Sequence, residues 1–508
     1  MRRRIRAAHV LGFDPEAGDH VWYRNGEVVI DGPLVERVGA AGTASGRVAT
    51  VDDEIDLGDA VVMPGLIDLD ALGDIDHALL DTWAPPELAS GQEWSAAYAK
   101  AGAADVLSAD ERRLMRRYAL TQLVLHGVTT AMPIAAETHS SWAETFDESV
   151  ALAEEAASLG LRVYVGPSYR AGVNTVAADG TTDVHWDLPR GERGFDDALR
   201  FLDWARARRM TDGSDLVQGA LLPCRIETVT DDLLRRTAAA AEQHGVPVRL
   251  HMLQSLREIE HLHRADRGTP VDTLERVGLL RAGTLVPHAI YLDDHPLVIE
   301  ARRAGAAAAS ASPVGDLERL ATAGVAVVHC PLTSLRYGTA LRSFGRYVDA
   351  GVRMTLGTDS FPPDLIRGID VGSSVARLID GRADAAPVAD YLRAATLGAA
   401  DVLGRHDLGR LTAGATADLV AFSLDDLRDG AIDDPLRTLV ASGTARQTVL
   451  SIIAGRVVVR GGRVPGLDEC ELRSTGQRLF MKLRAAYGHR DHHGRSADVL
   501  FPAAFASG

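Results

Sequence analysis

Between about residue 61 and residue 360, short apolar runs alternate with longer stretches rich in Ala, Leu, Arg and Glu, and eight of these runs end in polar residues. Residues 61–67 lead to Asp68 and Asp70, 127–130 to Glu137 and His139, and 161–165 to Arg170. Residues 217–222 lead to Cys224, Arg225 and Glu227, 246–250 to His251, and 283–286 to His288. Residues 325–328 lead to His329, and 352–356 to Asp359. Short apolar strands that alternate with helical sequence are the pattern of repeated βα units. Eight such units predict a (β/α)8 TIM-type barrel, whose active site lies on the rim formed by the C-terminal ends of the strands.

The two ends of the chain read differently. Asn25-Gly26 is a hairpin signal, followed by the β-prone run Glu27-Val28-Val29-Ile30 and the turn Asp31-Gly32. Short-strand texture returns after Leu403, in Ala417 to Phe422, Thr448 to Ile453 and Gly455 to Val459. Residues 1–62 and 404–470 are therefore expected to form a small β-sandwich domain built from both termini, around a barrel of residues 63–403. Residues 471–508 are expected to be helical and then mobile, with His489, His492 and His493 in a solvated terminus rather than a metal site.

Charge and cysteine usage narrow the function class. A formal net charge of −16 over 508 residues argues against a surface of clustered cations that neutralises nucleic-acid phosphates, so no nucleic-acid partner is expected. Lys100 and Lys482 are the only lysines, and neither lies near a motif, so Schiff-base chemistry has little to work with. Cys224, Cys330 and Cys470 stand far apart with no CxxC pair, which suits a reducing cytoplasm. The basic start Met1-Arg2-Arg3-Arg4 is not followed by an apolar segment of signal-peptide length, and no run reaches membrane-span length. A cytoplasmic protein with no membrane partner is expected.

The strand-end motifs carry a resemblance. Met63-Pro64-Gly65-Leu66-Ile67-Asp68, His126-Gly127-Val128-Thr129-Thr130, and Pro287-His288 followed by Leu292-Asp293-Asp294 appear in order. His329-Cys330-Pro331-Leu332-Thr333-Ser334, Leu356-Gly357-Thr358-Asp359, and the exit through Thr396 to Ala400 and Gly409-Arg410-Leu411 complete the series. Together they resemble the amidohydrolase superfamily, in its cytosine deaminase and triazine chlorohydrolase branch. The resemblance implies one divalent metal at the barrel mouth, held by His-x-His on strand one, a strand-five His and a strand-eight Asp, with a strand-six His and a strand-five Glu moving protons. Carried onto this chain, these roles fall on His251, His288 and Asp359.

Two positions depart from that pattern. The strand-one histidines fall on Asp70 and Leu72, of which only Asp70 can offer a ligand atom. The strand-five Glu falls on Gln254, whose amide neither gains nor loses a proton near neutral pH. His77 lies too far past Asp70 to replace a ligand, and residues 217–227 hold no lysine for a carbamate bridge.

The expected function is hydrolysis or deamination of a C–N bond in a small nitrogen-containing substrate: a cyclic amide, an amidine or an aminated heterocycle. In one version Asp70, His251, His288 and Asp359 hold a zinc, iron or manganese ion. In the alternative no metal is used, and His288 and Asp359 serve as acid and base for a lyase, an isomerase or a metal-free hydrolase. A non-catalytic binding relative is the third possibility. Trp83, Glu137, Arg170, Arg225, Glu227 and Gln254 are expected to contact substrate, with Arg336 and Phe361 as further strand-end candidates. Family resemblance also suggests a homodimer or higher oligomer.

Overall fold

The computed structural model describes residues 1–42, 50–75, 94–134 and 140–505. The apolar runs form parallel strands, numbered here β1 to β8: Leu66–Leu72, Val128–Ile134, Arg162–Val165, Val217–Gly219, Val248–Arg249, Thr284–Pro287, Ala326–His329 and Arg353–Leu356. Pairing runs in sequence order from β1 to β4 and from β5 to β8. The β4 segment meets β5 through the parallel bridge Leu221–Val248. Most of these strands are buried along their whole length, as α/β strands covered by helices must be.

Beyond their paired residues, β8 and β1 are joined at the rim. The Asp359 amide donates to the Asp70 carbonyl at 2.7 Å. The Asp68 carboxylate accepts the Thr358 amide at 3.0 Å and the Thr358 hydroxyl at 2.6 Å. Gly357 makes this approach possible: a Cβ there would lie 2.6 Å from the Asp70 Cβ.

Local signals set where the helices begin and end. Ser108 with Glu111 forms a capping box at the start of Ala109–Leu125, and Thr145 with Glu148 does so for Phe146–Leu159. The second helix ends on Gly160 at φ 84°, a left-handed C-cap that glycine takes without strain.

The run 61–67, expected as one strand, divides at Gly65. Ala60–Pro64 pairs with Leu419–Ser423 and Arg2–Asp14, whereas Leu66–Leu72 is β1. The Thr129 side chain presses on Gly65 where a Cβ would stand, so the crossover needs glycine. Strands from both chain ends lie in one eight-stranded sheet. Its order is Arg456–Arg460, Thr448–Ile453, Leu419–Ser423, Ala60–Pro64, Arg2–Asp14, Asp19–Asp31 and Leu34–Ala40, with Asp53–Asp56 also on Arg2–Asp14. Asn25-Gly26 is not the hairpin turn. It sits inside Asp19–Asp31, with Asn25 at φ 45° and Gly26 opposite Ala7, and the chain reverses instead between Asp14 and Asp19.

A buried ion network ties the sheet to the barrel. Arg162 on β3 is fully buried. Its guanidinium donates to both Asp418 carboxylate oxygens at 3.2 Å and pairs with Asp215 at 2.6 Å. Asp418 also accepts the Ala454 amide at 2.7 Å, and Arg405 closes the network on Asp215 at 2.8 Å. The chain end folds back along the barrel through the helix Glu469–Ala486, whose Gly476 lies against Tyr118. Arg490 is then buried, and its carbonyl accepts the Ser95 amide at 2.7 Å. Among the described residues, no helix is long and apolar enough to cross a membrane.

Removing one member of a buried ion network strands the others without compensation. Arg162→Leu is therefore expected to lower the unfolding free energy by about 3–5 kcal/mol, measured by urea denaturation. Burial, only partly offset by Arg116, raises the Glu144 carboxyl from its usual 4.5 to about 8. The folded chain keeps this group neutral, while the unfolded chain ionises it above 4.5, so its stabilisation is present below 4.5 and lost as pH rises to about 8. Thermal melts from pH 5 to pH 8 should show this decline, and Glu144→Gln should flatten it.

Candidate active site

The ends of β1, β5, β6 and β8 bring Asp70, His251, His288 and Asp359 together. One ligand atom from each of Asp70, His251 and His288 lies within 4.8 Å of the other two, and all three residues are buried. His251 Nε2 is 3.5 Å from Asp70 Oδ1, and His288 Nε2 is 3.8 Å from Asp359 Oδ2. The two imidazoles face each other at a 5.5 Å ring separation.

Backbone geometry aims these groups. Leu253, His288, Ala289 and Asp359 all have positive φ, at 58°, 71°, 48° and 39°. Non-glycine residues rarely take this region, at a cost of about 1–3 kcal/mol each. Fixed hydrogen bonds hold them there. The His288 amide donates to the Val328 carbonyl at 2.9 Å, and the Leu253 carbonyl accepts Ile290 and Tyr291 at 2.9 and 3.0 Å. The Leu253 amide donates to Glu258 at 2.6 Å.

Each group's protonation follows from its surroundings. His251 Nδ1 lies 3.0 Å from the Cys224 carbonyl, which can only accept, so Nδ1 carries a proton and Nε2 is the ring atom turned to the centre. Burial first, then the His251 charge, lowers His288 to about 3, so this imidazole is neutral. Burial alone would raise the Asp70 carboxyl, but His251 and Arg249 outweigh it and hold it well below the ordinary carboxylate range. Asp70 Oδ1 and His288 Nε2 are buried and make no hydrogen bond. Two buried polar atoms left without hydrogen bonds, the inward-facing His251 Nε2 and a nearby carboxylate form an N/O donor set that fits one divalent ion. Leu72, at the second expected strand-one position, is buried and supplies no ligand atom.

A cavity of about 550 Å³ opens above this centre. His251, His288 and Asp359 line it, as do the expected contact residues Arg170, Arg225, Glu227 and Gln254. Arg225 donates to the Gln254 side-chain carbonyl, which leaves the amide N–H groups of Gln254 as its donors. Asn174 donates to Glu227 at 2.9 Å. Burial, then the neighbouring Glu227, raises Glu258 to about 8.

Trp83 and Glu137, with His77 and His139, lie outside the described residues. Arg336 donates to Ser360, Phe361 stacks near Tyr118 at 5.8 Å, and neither lines the cavity. His329 lies instead against Phe344 and Tyr391, where burial lowers it to about 3. His489 and His493 are exposed.

Sequence reasoning missed several wall residues. Trp94, Asn174, Glu258 and Arg490 all line the cavity. Glu258 had a signal, the Ser255-x-x-Glu258 helix start, whereas Arg490 had none. Arg249 was also missed, although it is the one charge inside the apolar run 246–250. It is 2% exposed, and its Nη1 lies 3.3 Å from Asp70 Oδ1.

Residues 61–458 match the amidohydrolase family. The chain belongs to that family. It is 26% identical over 475 residues to the 5-methylthioadenosine/S-adenosylhomocysteine deaminase of Halobacterium salinarum, covering 91% of this chain and 95% of that one. It is 28% identical over 446 residues to the 8-oxoguanine deaminase of Pseudomonas aeruginosa, covering 87% and 91%. Among solved structures, the adenosine deaminase of Xanthomonas campestris with bound zinc superposes with a TM-score of 0.75 at 22% identity, covering 95% and 98%. The zinc complex of the atrazine chlorohydrolase TrzN from Arthrobacter aurescens gives 0.72 at 22% identity, covering 94% and 99%. The amidohydrolase fold of these neighbours is an α/β TIM-type barrel, in line with the eight parallel strands.

Glu258 holds the turn that follows His251, so its loss should misplace a site group without unfolding the chain. Glu258→Ala is expected to lower kcat/KM by about a hundredfold with an unchanged circular dichroism spectrum. Glu258→Gln, which keeps one acceptor, should lose less.

Proposed function

We propose that the protein deaminates or hydrolyses a small aminated nitrogen heterocycle, cyclic amide or amidine in this cavity, through a centre of Asp70, His251, His288 and Asp359. The observation that carries this reading is the convergence of Asp70, His251 and His288, with buried donor atoms left unbonded at the strand ends of an amidohydrolase. The relatives named above are deaminases of adenosine-type and 8-oxoguanine compounds, which supports attack on an exocyclic C–N bond.

Asp70, His251 and His288 would hold one zinc, iron or manganese ion, with Asp359 completing the set. When bound, such an ion lowers the pKa of water towards 7. His251 would offer Nε2, which its Nδ1 bond to the Cys224 carbonyl already directs inward. The Asp359 carboxylate, 3.8 Å from His288 Nε2, would carry protons between the water and the substrate. Gln254 donates a hydrogen bond to a ring nitrogen and carries no proton, so the leaving amine is protonated from the His288–Asp359 side. Arg170, Arg225 and Glu227 orient the substrate, and we assign Trp83 and Glu137 to its contacts on their strand-end positions in sequence.

A second reading, a metal-independent lyase, isomerase or hydrolase worked by His288 and Asp359, is favoured by one observation. Arg249 already places a fixed positive charge against Asp70.

We also read residues 63–403 as a closed (β/α)8 barrel, 1–62 with 404–470 as a separate small β domain, and 471–508 as an appended tail. The homodimer is carried over from the family resemblance. A cytoplasmic setting is supported by three cysteines of which none forms a disulfide.

Ammonia release from a panel of aminopurines and aminopyrimidines, with elemental analysis before and after chelation, tests the main reading. One equivalent of zinc, iron or manganese is expected, and its removal should abolish turnover. His288→Ala and Asp359→Ala should each lower kcat by about a hundredfold or more. Full activity in a metal-free preparation would transfer the case to the second reading.

A further inference from the structure

We propose that Arg249 is a built-in counter-ion that competes with the metal for Asp70 and so keeps the centre's metal affinity low; this rests on the metal-assisted reading. The competition is for one atom. Asp70 Oδ1 lies 3.5 Å from His251 Nε2, where a shared ion would sit, and 3.3 Å from Arg249 Nη1. The second Asp70 oxygen faces the Cys330 thiol at 3.5 Å.

The guanidinium is anchored. It donates to the Met132 carbonyl and reaches the Leu69 and Pro133 carbonyls at 3.5 Å each, at the C-terminal ends of β1 and β2. Those contacts hold it at the rim independently of Asp70. An arginine side chain stays protonated in proteins, so its charge cannot be relieved by losing a proton. Screening by salt is weak for buried charges, and a fixed cation beside a shared carboxylate raises the free energy of a divalent ion there. The position of Leu72 removes one ligand from the same corner, so both changes act in the same direction. Arg249 touches the ligand rather than the substrate and is a positioning residue.

Zinc affinity of the chelator-stripped full chain, measured by competition with a fluorescent chelator, tests this. The native protein is expected to bind one zinc with a Kd of about 1 μM. Arg249→Met and Arg249→Gln should bind at least tenfold more tightly, a gain that structural damage does not produce. Folded variants that bind as the native protein does, or more weakly, would overturn the proposal and leave the metal centre standing. Absence of zinc, iron and manganese binding by the native protein and by both variants would instead remove the metal-assisted reading, and this inference with it. Should both variants fail to fold, the native affinity decides: subnanomolar binding would overturn the proposal, and weaker binding supports it.

Discussion

Asp70 is a buried carboxylate, and a buried carboxylate stays ionised only where positive charge or hydrogen-bond donors surround it. Here the carboxylate lies among Arg249, His251 and His288, while its backbone carbonyl receives the Asp359 amide. One residue thus joins the first strand to the last and sets the charge at the mouth. The left-handed turns at His288 and Asp359 are held by bonds to neighbouring strands, so the strain at the rim is balanced by pairing across it. Stability and chemistry meet on the same few atoms.

That arrangement departs from a histidine-rich mouth in a consistent direction. Histidine ligands are neutral, and replacing one by Asp70 adds a negative charge that Arg249 offsets nearby. Replacing the proton-carrying glutamate by Gln254 removes a negative charge beside Arg225, which bonds to its amide oxygen. The net charge of the mouth is therefore less altered than its ability to bind and move cations and protons.

The barrel was legible in the sequence because period and punctuation agree: apolar runs that alternate with helical stretches, and polar residues at each strand end. His251, His288 and Asp359 were legible for the same reason, since each stands within three residues of the end of a run. What was not legible depends on contacts distant in sequence. Asn25-Gly26 has the composition of a turn but is held in a strand by its neighbours, and the division at Gly65 is set by Thr129. Arg249 stands inside an apolar run, and its partner Asp70 lies on another strand. Arg490 belongs to a segment whose local pattern carries no sign that it lines a cavity.

The place of Arg490 has a consequence for how the molecule is made. The cavity wall draws on Trp94 early in the chain and on Arg490 late in it, and the bond from Ser95 to the Arg490 carbonyl closes that distance. Contacts between residues so far apart form late in folding, because loop closure must be met before they add stability. A nascent chain can build its strands in order, but it has no finished pocket until this segment has emerged and docked. The order of synthesis thus delays the onset of activity until nearly the whole fold is in place.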